Sequence, residues 1–358
     1  MSGTVRAPRF RVSLNGAVLP GCKTIEIDAN NNFSADTFTA TFSTATPGAV
    51  PLPPWGATDT ILVGIEIAND AAGGYVAAFA GEVDEIEADP IGQTVTVHGR
   101  DLSRRLRDAK TNETFPNRTS SEIAATLAAR HGLTPVVTPT VTLVSRYYAN
   151  DHDHLSGDNF TRTTNEWDLL VYFAQHEGYD LFVVGTSLYF QPAAAPGIGG
   201  KRVVFKTTSA GVVCNDVMQP RFSRSLTLAK DIDVIVRSWN VNTKRGFDAK
   251  STGAKSGKDA GGQQRIVIVR PNLTRDAAIK LANNIRADLT KRERLFRFAI
   301  PGDSGFTPRT PVNVFGTGSS WDGYYFTASV HHAIDMQRGY LMTVECKNHS
   351  PLNESIPG

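Results

Sequence analysis

Cysteine is scarce in this 358-residue chain, and its three residues, Cys22, Cys214 and Cys346, stand far apart with one left over from any pairing. No CxxC spacing occurs, so a zinc ribbon, a redox motif and a disulfide framework are not expected, and isolated thiols in strands are the simpler reading. No stretch approaches the ~20 consecutive apolar residues that a bilayer-spanning helix requires. The N-terminus, MSGTVRAPRFRVSLNG, lacks the apolar segment of a signal peptide, which implies synthesis in a cytoplasm. Charge of one sign is missing as well. Lys and Arg number 37 against 35 Asp and Glu, and the formal charge of +2 is too small to imply nucleic-acid binding. The basic clusters at Arg100–Arg107 and Lys291–Arg297 and the acidic run Glu82–Glu87 therefore read as solvated faces.

Catalytic signatures are missing too. The chain has no GxSxG, no Walker A, no GxGxxG and no HExxH. Ser304, in Gly302-Asp303-Ser304-Gly305, sits in a turn rather than at a strand-to-helix elbow. The carboxylates Asp84/Glu85 and Glu82/Glu87 are dense enough to resemble a glycosidase pair, yet they alternate with apolar positions as a wet strand face does. The best metal candidate is Asp151-His152-Asp153-His154, whose two imidazoles would share one side of an extended strand. It lacks further ligands nearby in sequence, and a solvated polar loop is the reading adopted. His331-His332 ends an apolar strand, so one ring should face the core and one the solvent. His131 and His176 lie near helix C-termini, where capping explains them. No catalytic, cofactor-binding or metal-ligating residue is assigned, and the chain is expected not to be an enzyme.

What is present is β-structure punctuated by turns. The organising stretch is Phe79–Lys110, FAGEVDEIEADPIGQTVTVHGRDLSRRLRDAK. Its first strand turns at Asp89-Pro90-Ile91-Gly92. A second strand follows, with Val95 and Val97 alternating against Thr94, Thr96 and His98, and it is expected to stop at Gly99. Upstream, strands are predicted at Phe10–Leu14, Thr24–Ile27, Thr37–Phe42 and Ile61–Ile67, with Asn15-Gly16 as a hairpin turn. In DTFTATFST, Phe38, Ala40 and Phe42 alternate with threonine, the pattern of a half-buried antiparallel strand.

Residues 104–195 change character. Thr119-Ser120-Ser121-Glu122 is a capping box, followed by Ile123 and Leu127 and stopped at His131-Gly132. A second box is predicted at Thr163 and Glu166, with Trp167, Leu170, Val171 and Ala174 as the apolar stripe and Gly178 as the stop. YDLFVVGTSLYF then forms a hairpin around Gly185-Thr186. Beyond a linker at 193–200, strands are expected at Val203–Phe205, Val212–Cys214, Leu226–Leu228 and Asp231–Trp239. Residues 246–264 are dominated by Gly, Ser, Lys and Asp and read as a mobile loop. RIVIVRP is a strand, Ala278, Leu281, Ala282, Ile285 and Leu289 stripe a third helix, and four strands close the chain.

The predicted fold is α+β, mostly antiparallel β, with two tube-like β-barrel domains, each with its own core, and small α/β inserts. The boundaries are 1–103 for the first barrel, 104–195 for the first insert, 196–245 with 297–358 for the second barrel, and 246–296 for a loop-plus-helix insertion. The order β-block, insert, β-block, helix, β-block suggests two related halves.

Four segments in order, together reaching from about 79 to 347, carry a family resemblance. GEVDEIEADPIGQTVTVHGRDLSRRLRDA resembles the central segment of phage tail hub proteins, the late control protein D family of contractile-tail phages. FPNRTSSEIAATLAARHGLTP is similar to that family's short capped helix, and NEWDLLVYFAQHEGYDLFVVGTSLYF to its Trp-Asp-Leu-Leu helix and hairpin. IPGDSGFTPRTPVNVFGTGSSWDGYYFTASVHHAIDMQRGYLMTVE resembles its C-terminal barrel segment, departing where Pro308-Arg309-Thr310-Pro311 replaces an expected Pro-Gly. The hub half of type VI secretion VgrG spike proteins is similar.

The resemblance implies a structural role in the virion, in a phage tail baseplate assembled in the host cytoplasm. It implies a homotrimer whose six barrels meet the hexameric tail tube, or a distal tube initiator, with the central spike and other baseplate proteins as partners. DNA would pass through the lumen without specific binding, and no stable membrane insertion is implied. The alternatives are a hub-type distal tail protein of a non-contractile phage or gene-transfer particle, and a tail-associated cell-wall hydrolase.

Overall fold

The computed structural model describes residues 8–348 except positions 32, 47, 53–54, 56–59, 70–72, 112, 114, 116, 142, 145–163, 193–199, 210, 227–231, 241–244, 252–263, 271–272 and 291–293. The first β-block contains β1 (Arg9–Leu14), β2 (Ala17–Leu19), β3 (Cys22–Asn30), β4 (Thr37–Ser43), β5 (Leu62–Ala68), β6 (Val76–Asp89) and β7 (Thr94–Asp101). Asn15 and Gly16 both take positive φ and turn β1 back onto β2, as the Asn-Gly signal requires. In β4, Phe38, Ala40 and Phe42 are buried while the intervening threonines are not. One alternation thus supplies a core face and a wet face.

The first insert comprises α1 (Arg104–Asp108), β8 (Lys110–Thr111), α2 (Ser120–Arg130), β9 (Thr134–Val137), β10 (Thr164–Asn165), α3 (Glu166–Glu177), β11 (Tyr179–Val184) and β12 (Ser187–Pro192). Helix α2 carries the full capping box, with Thr119 accepting from the Glu122 amide and Glu122 accepting from the Thr119 amide. Helix α3 differs from expectation. Its cap is Asn165, whose side chain accepts from the Asp168 amide at 2.7 Å, and Glu166 is its first residue rather than the third of a box begun by Thr163. Gly178 ends it in the left-handed conformation. The insert has its own core around Leu106, Leu127, Trp167, Leu170 and Phe190.

The second β-block begins with β13 (Lys201–Thr208), β14 (Gly211–Cys214) and β15 (Met218–Arg224). It is interrupted by β16 (Ile232–Asn240), β17 (Arg245–Lys250), β18 (Gln264–Val269) and α4 (Arg275–Thr290). It resumes as β19 (Arg294–Pro301), β20 (Pro311–Phe315), β21 (Gly323–Asp335) and β22 (Gly339–Asn348). Two expectations are corrected here. Residues 232–240, assigned to the second barrel, instead build a separate sheet ordered β17-β16-β18, because Val234 and Val236 pack with Ala278, Leu281 and Ala282 of α4. Residues 246–250, assigned to the mobile loop, are strand, since Arg245–Lys250 pairs in full with Ile235–Asn240. The rest of that loop, 252–263, lies outside the described residues, as does most of the linker, 193–199. The strand expected at Leu226–Leu228 lies, but for Leu226, outside the described residues, and the strand before it, Met218–Arg224, was not expected.

The two β-blocks share one 14-stranded sheet and one core. The first is ordered β2-β1-β5-β6-β7-β4-β3 and the second β14-β13-β20-β21-β22-β19-β15. Numbered from the start of each block, these orders are identical, so the fold is an internal repeat. One ladder changes sense, antiparallel for β1·β5 and parallel for β13·β20. The blocks join edge to edge through the antiparallel ladder β21·β3. Val12, Phe38 and Val97 of the first therefore belong to the same buried cluster as Val203, Phe296 and Val344 of the second. The expectation of separate barrel cores is corrected by that continuity.

Candidate assembly interface

Eight long strands run side by side in the order β15-β19-β22-β21-β3-β4-β7-β6. One face of this array is the shared core, and the other is polar and open. On the open face Thr39 lies 3.0 Å from His98 Nδ1 and Thr41 Oγ1 lies 3.2 Å from Thr96 Oγ1. Threonine pairs across a ladder stabilise it without adding charge.

Strand β21 changes neighbours along its length. Its first residues pair with β20 as far as Phe326, and Ser329–Asp335 then pair with β3. Strand β6, its counterpart in the repeat, begins the same way, pairing with β5 from Val76 to Glu82. Beyond Val83, however, the edge of β6 facing away from β7 meets no strand among the described residues. Among the described residues strand β15 pairs with β19 alone, and its other edge meets no strand. Each end of the eight-strand array thus presents a backbone edge with unused donors and acceptors, a template for further pairing.

At the internal joint, His331 stands opposite Asp28, with its Nδ1 2.7 Å from Asp28 Oδ1 on the wet face. The next ring, His332, points into the core, where its Nδ1 lies 2.8 Å from the Tyr340 hydroxyl. The expected split of the His-His pair between core and solvent is what the strand shows. Burial, and then the nearby His331, push the His332 pKa down to about 4.

The unfolded chain therefore binds more protons at His332 between about 6.5 and about 4, and the stability present above that window is lost as pH falls through it. Replacing His332 with phenylalanine removes this titration. The stability advantage of wild type over H332F is expected to shrink between pH 7 and pH 5 in urea unfolding. An advantage unchanged with pH would mean that the imidazole is accessible to protons in the folded protein. Asp36 must be left intact in that comparison, because burial and the neighbouring Asp101 push its pKa up to about 7, the opposite direction.

The acidic and basic clusters are not simply solvated faces. Arg105 clamps buried Glu82 at 2.6 Å, Arg100 reaches Asp84 at 2.6 Å, and Arg104 reaches Asp84 at 2.9 Å. The turn from β7 into α1 brings the two runs together, a contact that neither run announces alone. Glu85 and Glu87, just beyond these pairs along β6, are exposed.

Both inserts leave the eight-strand array at one rim, after Asp101 of β7 and between Arg224 of β15 and Arg294 of β19. The hairpin tips β6–β7 and β21–β22 lie at the opposite rim. Asp335 pairs with Thr24, Thr24 with Thr41 and Thr41 with Thr96, so the ladders bring the two tips to the same rim, within two residues of one row. Each tip is built on an aspartate accepting two backbone amides, Asp89 from Ile91 and Gly92, Asp335 from Gln337 and Arg338. Each exposes one large apolar side chain, Ile91 at 95% and Met336 at 74%. Four strand spacings separate the tips, ~19 Å at ~4.8 Å each.

The first insert is fastened to the β-blocks by polar anchors. Trp167 Nε1 donates to the Phe33 carbonyl at 2.9 Å, and Arg107 donates to the same carbonyl while lying over the Trp167 ring. Arg309, in the segment that departs from the family pattern, stacks 3.5 Å from the Phe182 ring centroid of the insert. Lys280 of α4 reaches Glu177 of α3 at 2.8 Å and ties the inserts to each other.

Asp151 to His154 lie outside the described residues. Among the described residues no three His, Cys, Asp or Glu side chains group as a metal site, and no helix is long and apolar enough to cross a membrane. The three cysteines are free, with Cys22 and Cys346 buried and pushed up to about 12 by that burial. Ser304 is held in a turn by Asn69, which accepts from its amide at 2.9 Å.

No family model matches the sequence, and no curated protein sequence matches it. Solved structures do match. A tail protein of Neisseria meningitidis superposes with a TM-score of 0.69 at 14% identity, over 96% of this chain and 97% of that one. The 43 kDa tail protein of a Shewanella oneidensis prophage gives 0.70 at 16%, over 96% and 98%. A component of the Escherichia coli type VI secretion system gives 0.55 at 10%, over 97% and 79%. At such identities the likeness is one of fold, and the fold of this chain is that of phage tail and type VI secretion proteins.

Proposed function

We propose that this protein is the structural, non-enzymatic hub of a phage or phage-like contractile tail, a homotrimeric ring joining a hexameric tube to a central spike. The observation that carries the reading is the internal repeat, joined side by side, with both outer edges of its eight-strand array meeting no strand among the described residues. Two equivalent surfaces per chain allow a threefold ring to meet a sixfold one without mismatch. Three copies would close twenty-four strands into one tube, with the threonine-rich face as a lumen through which DNA slides without specific contacts. The insert-free rim, with its six tips, faces the tube. The rim bearing the inserts faces the spike and the remaining baseplate proteins. Its place is in the virion, and the similar solved tail proteins support that location.

Light scattering coupled to gel filtration tests the ring. The expected mass is three times the 38.7 kDa chain. A chain that stays monomeric when mixed with its tube protein, and binds no tube ends, overturns the reading.

A further inference from the structure

The internal joint predicts the contact that closes the ring. Resting on the trimeric reading above, we propose that Val83–Asp89 of one copy adds antiparallel to Met218–Arg224 of the next, in a register that sets Glu85 opposite Arg221.

The register follows from the repeat. Asp89 and Asp335 each end the long strand of their hairpin, paired with Thr94 and Gly339. Four residues back from each stand Glu85 and His331, so these two are equivalent. Across the array, Glu85 lies in one row with His98, Thr39 and Glu26, and His331 lies in one row with Thr343, Ala299 and Met218. Glu26 is therefore equivalent to Met218. Two rows further along the neighbouring strand come Asp28, level with Thr37, and Arg221, level with Arg297. The step from Met218 to Arg221 absorbs one extra residue at the β15 bulge. Since His331 pairs with Asp28 at the internal joint, Glu85 pairs with Arg221 at the joint between copies.

The chemistry agrees, with the signs exchanged. The internal joint sets a histidine on the long strand against an aspartate on its neighbour, 2.7 Å apart. The equivalent positions hold a glutamate on the long strand and an arginine on the neighbour. Both side chains are exposed, and neither has an ion pair or side-chain hydrogen bond among the described residues. Arg221 also stands directly opposite Arg297, a like-charge pair that destabilises a ladder unless a third charge intervenes. Arg297 already faces Glu345 on its other side. Glu85 from the next copy completes the row Glu345, Arg297, Arg221, Glu85, in which each end carries an acid. Around it, Glu87 adds negative charge to one edge and Arg224 positive charge to the other. Complementary edges of this kind favour a second copy over an unrelated strand.

Charge exchange tests the pair. In E85R and in R221E the trimer is expected to dissociate at ~tenfold or more higher dilution than wild type, because each substitution sets like charges opposite one another at all three joints. The double variant E85R/R221E is expected to recover most of the wild-type assembly. A second measurement reads geometry directly. In a Cys214→Ser background, E85C with R221C should give disulfide-linked dimers and trimers on a non-reducing gel, since directly opposed strand residues have Cα atoms within bonding range. Unlinked chains in that variant, or single reversals that leave the trimer intact, would show that wild-type rings close through other edges. A wild-type protein that never forms a ring would instead remove the hub reading, and this joint with it.

Discussion

Trp167→Ala is expected to cost the protein ~3–5 kcal/mol, the usual range for truncating a fully buried large aromatic side chain. Trp167 is 1% exposed and sits at the centre of the insert core with Leu106, Leu170 and Phe173. Its loss would not stay within the insert. The indole shares the Phe33 carbonyl with Arg107, and Phe33 lies in the connection between β3 and β4, so the side chain pins the insert to the first β-block. Removing it leaves a cavity, frees the Arg107 guanidinium from its ring and takes one donor from a part-buried carbonyl. Trp167→Phe keeps most of the packing and loses chiefly the hydrogen bond, a cost of ~1 kcal/mol. Urea unfolding followed by both near-UV and far-UV circular dichroism measures the two variants. A transition midpoint for W167A equal to that of wild type would show that the indole is not part of the core.

Local grammar was legible where one residue type does one job. The Thr119 box, the Asn15-Gly16 turn, the Gly178 stop and the threonine alternation of β4 all stand where their chemistry puts them. The cap of α3 was misplaced because TRTTNEWD offers two caps two residues apart, each with an acid at the third helical position, and only tertiary contacts choose between them. Strands β15 and β17 escaped notice for a related reason. MQPRFSR holds a proline and one large aromatic, and RGFDAK alternates over too few residues to outweigh its Gly, Asp and Lys. Each becomes a strand because a neighbour offers a complete ladder, a context that overrides β propensity.

The candidate interface was less legible still. Glu82–Glu87 and Arg100–Arg107 read as two solvated charge runs, since nothing local reveals that one zips onto the other. Nor does sequence show that Glu85 and Arg221, more than a hundred residues apart, occupy the places in the repeat that His331 and Asp28 occupy at the internal joint. That emerges only when the ladders are followed across eight strands.

The sequence pattern ends its strand at Gly99, and the structure places that residue inside it. Strand β7 continues to Asp101, with Gly99 opposite Phe38 on one side and Val83 on the other. The bulge between Val83 and Glu85 brings the β6 backbone in so closely that no side chain fits at this point. A methyl group on Gly99 would press against the Glu82 carbonyl oxygen and lie 2.6 Å from the Phe38 ring. A flexible side-chain end could swing aside, but a ladder carbonyl cannot move without breaking its strand. Gly99→Ala is therefore expected to cost at least the upper part of the ~1–3 kcal/mol range for overpacking. It should also open the β6·β7 ladder next to the free edge assigned to the ring. Hydrogen exchange should show faster amides in the β6·β7 ladder on either side of Gly99, and gel filtration a weakened trimer, since the edge that pairs with the next copy would lose its register. An alanine variant with wild-type stability and unchanged exchange at these amides would mean that β6 and β7 lie farther apart at this point than the structure places them.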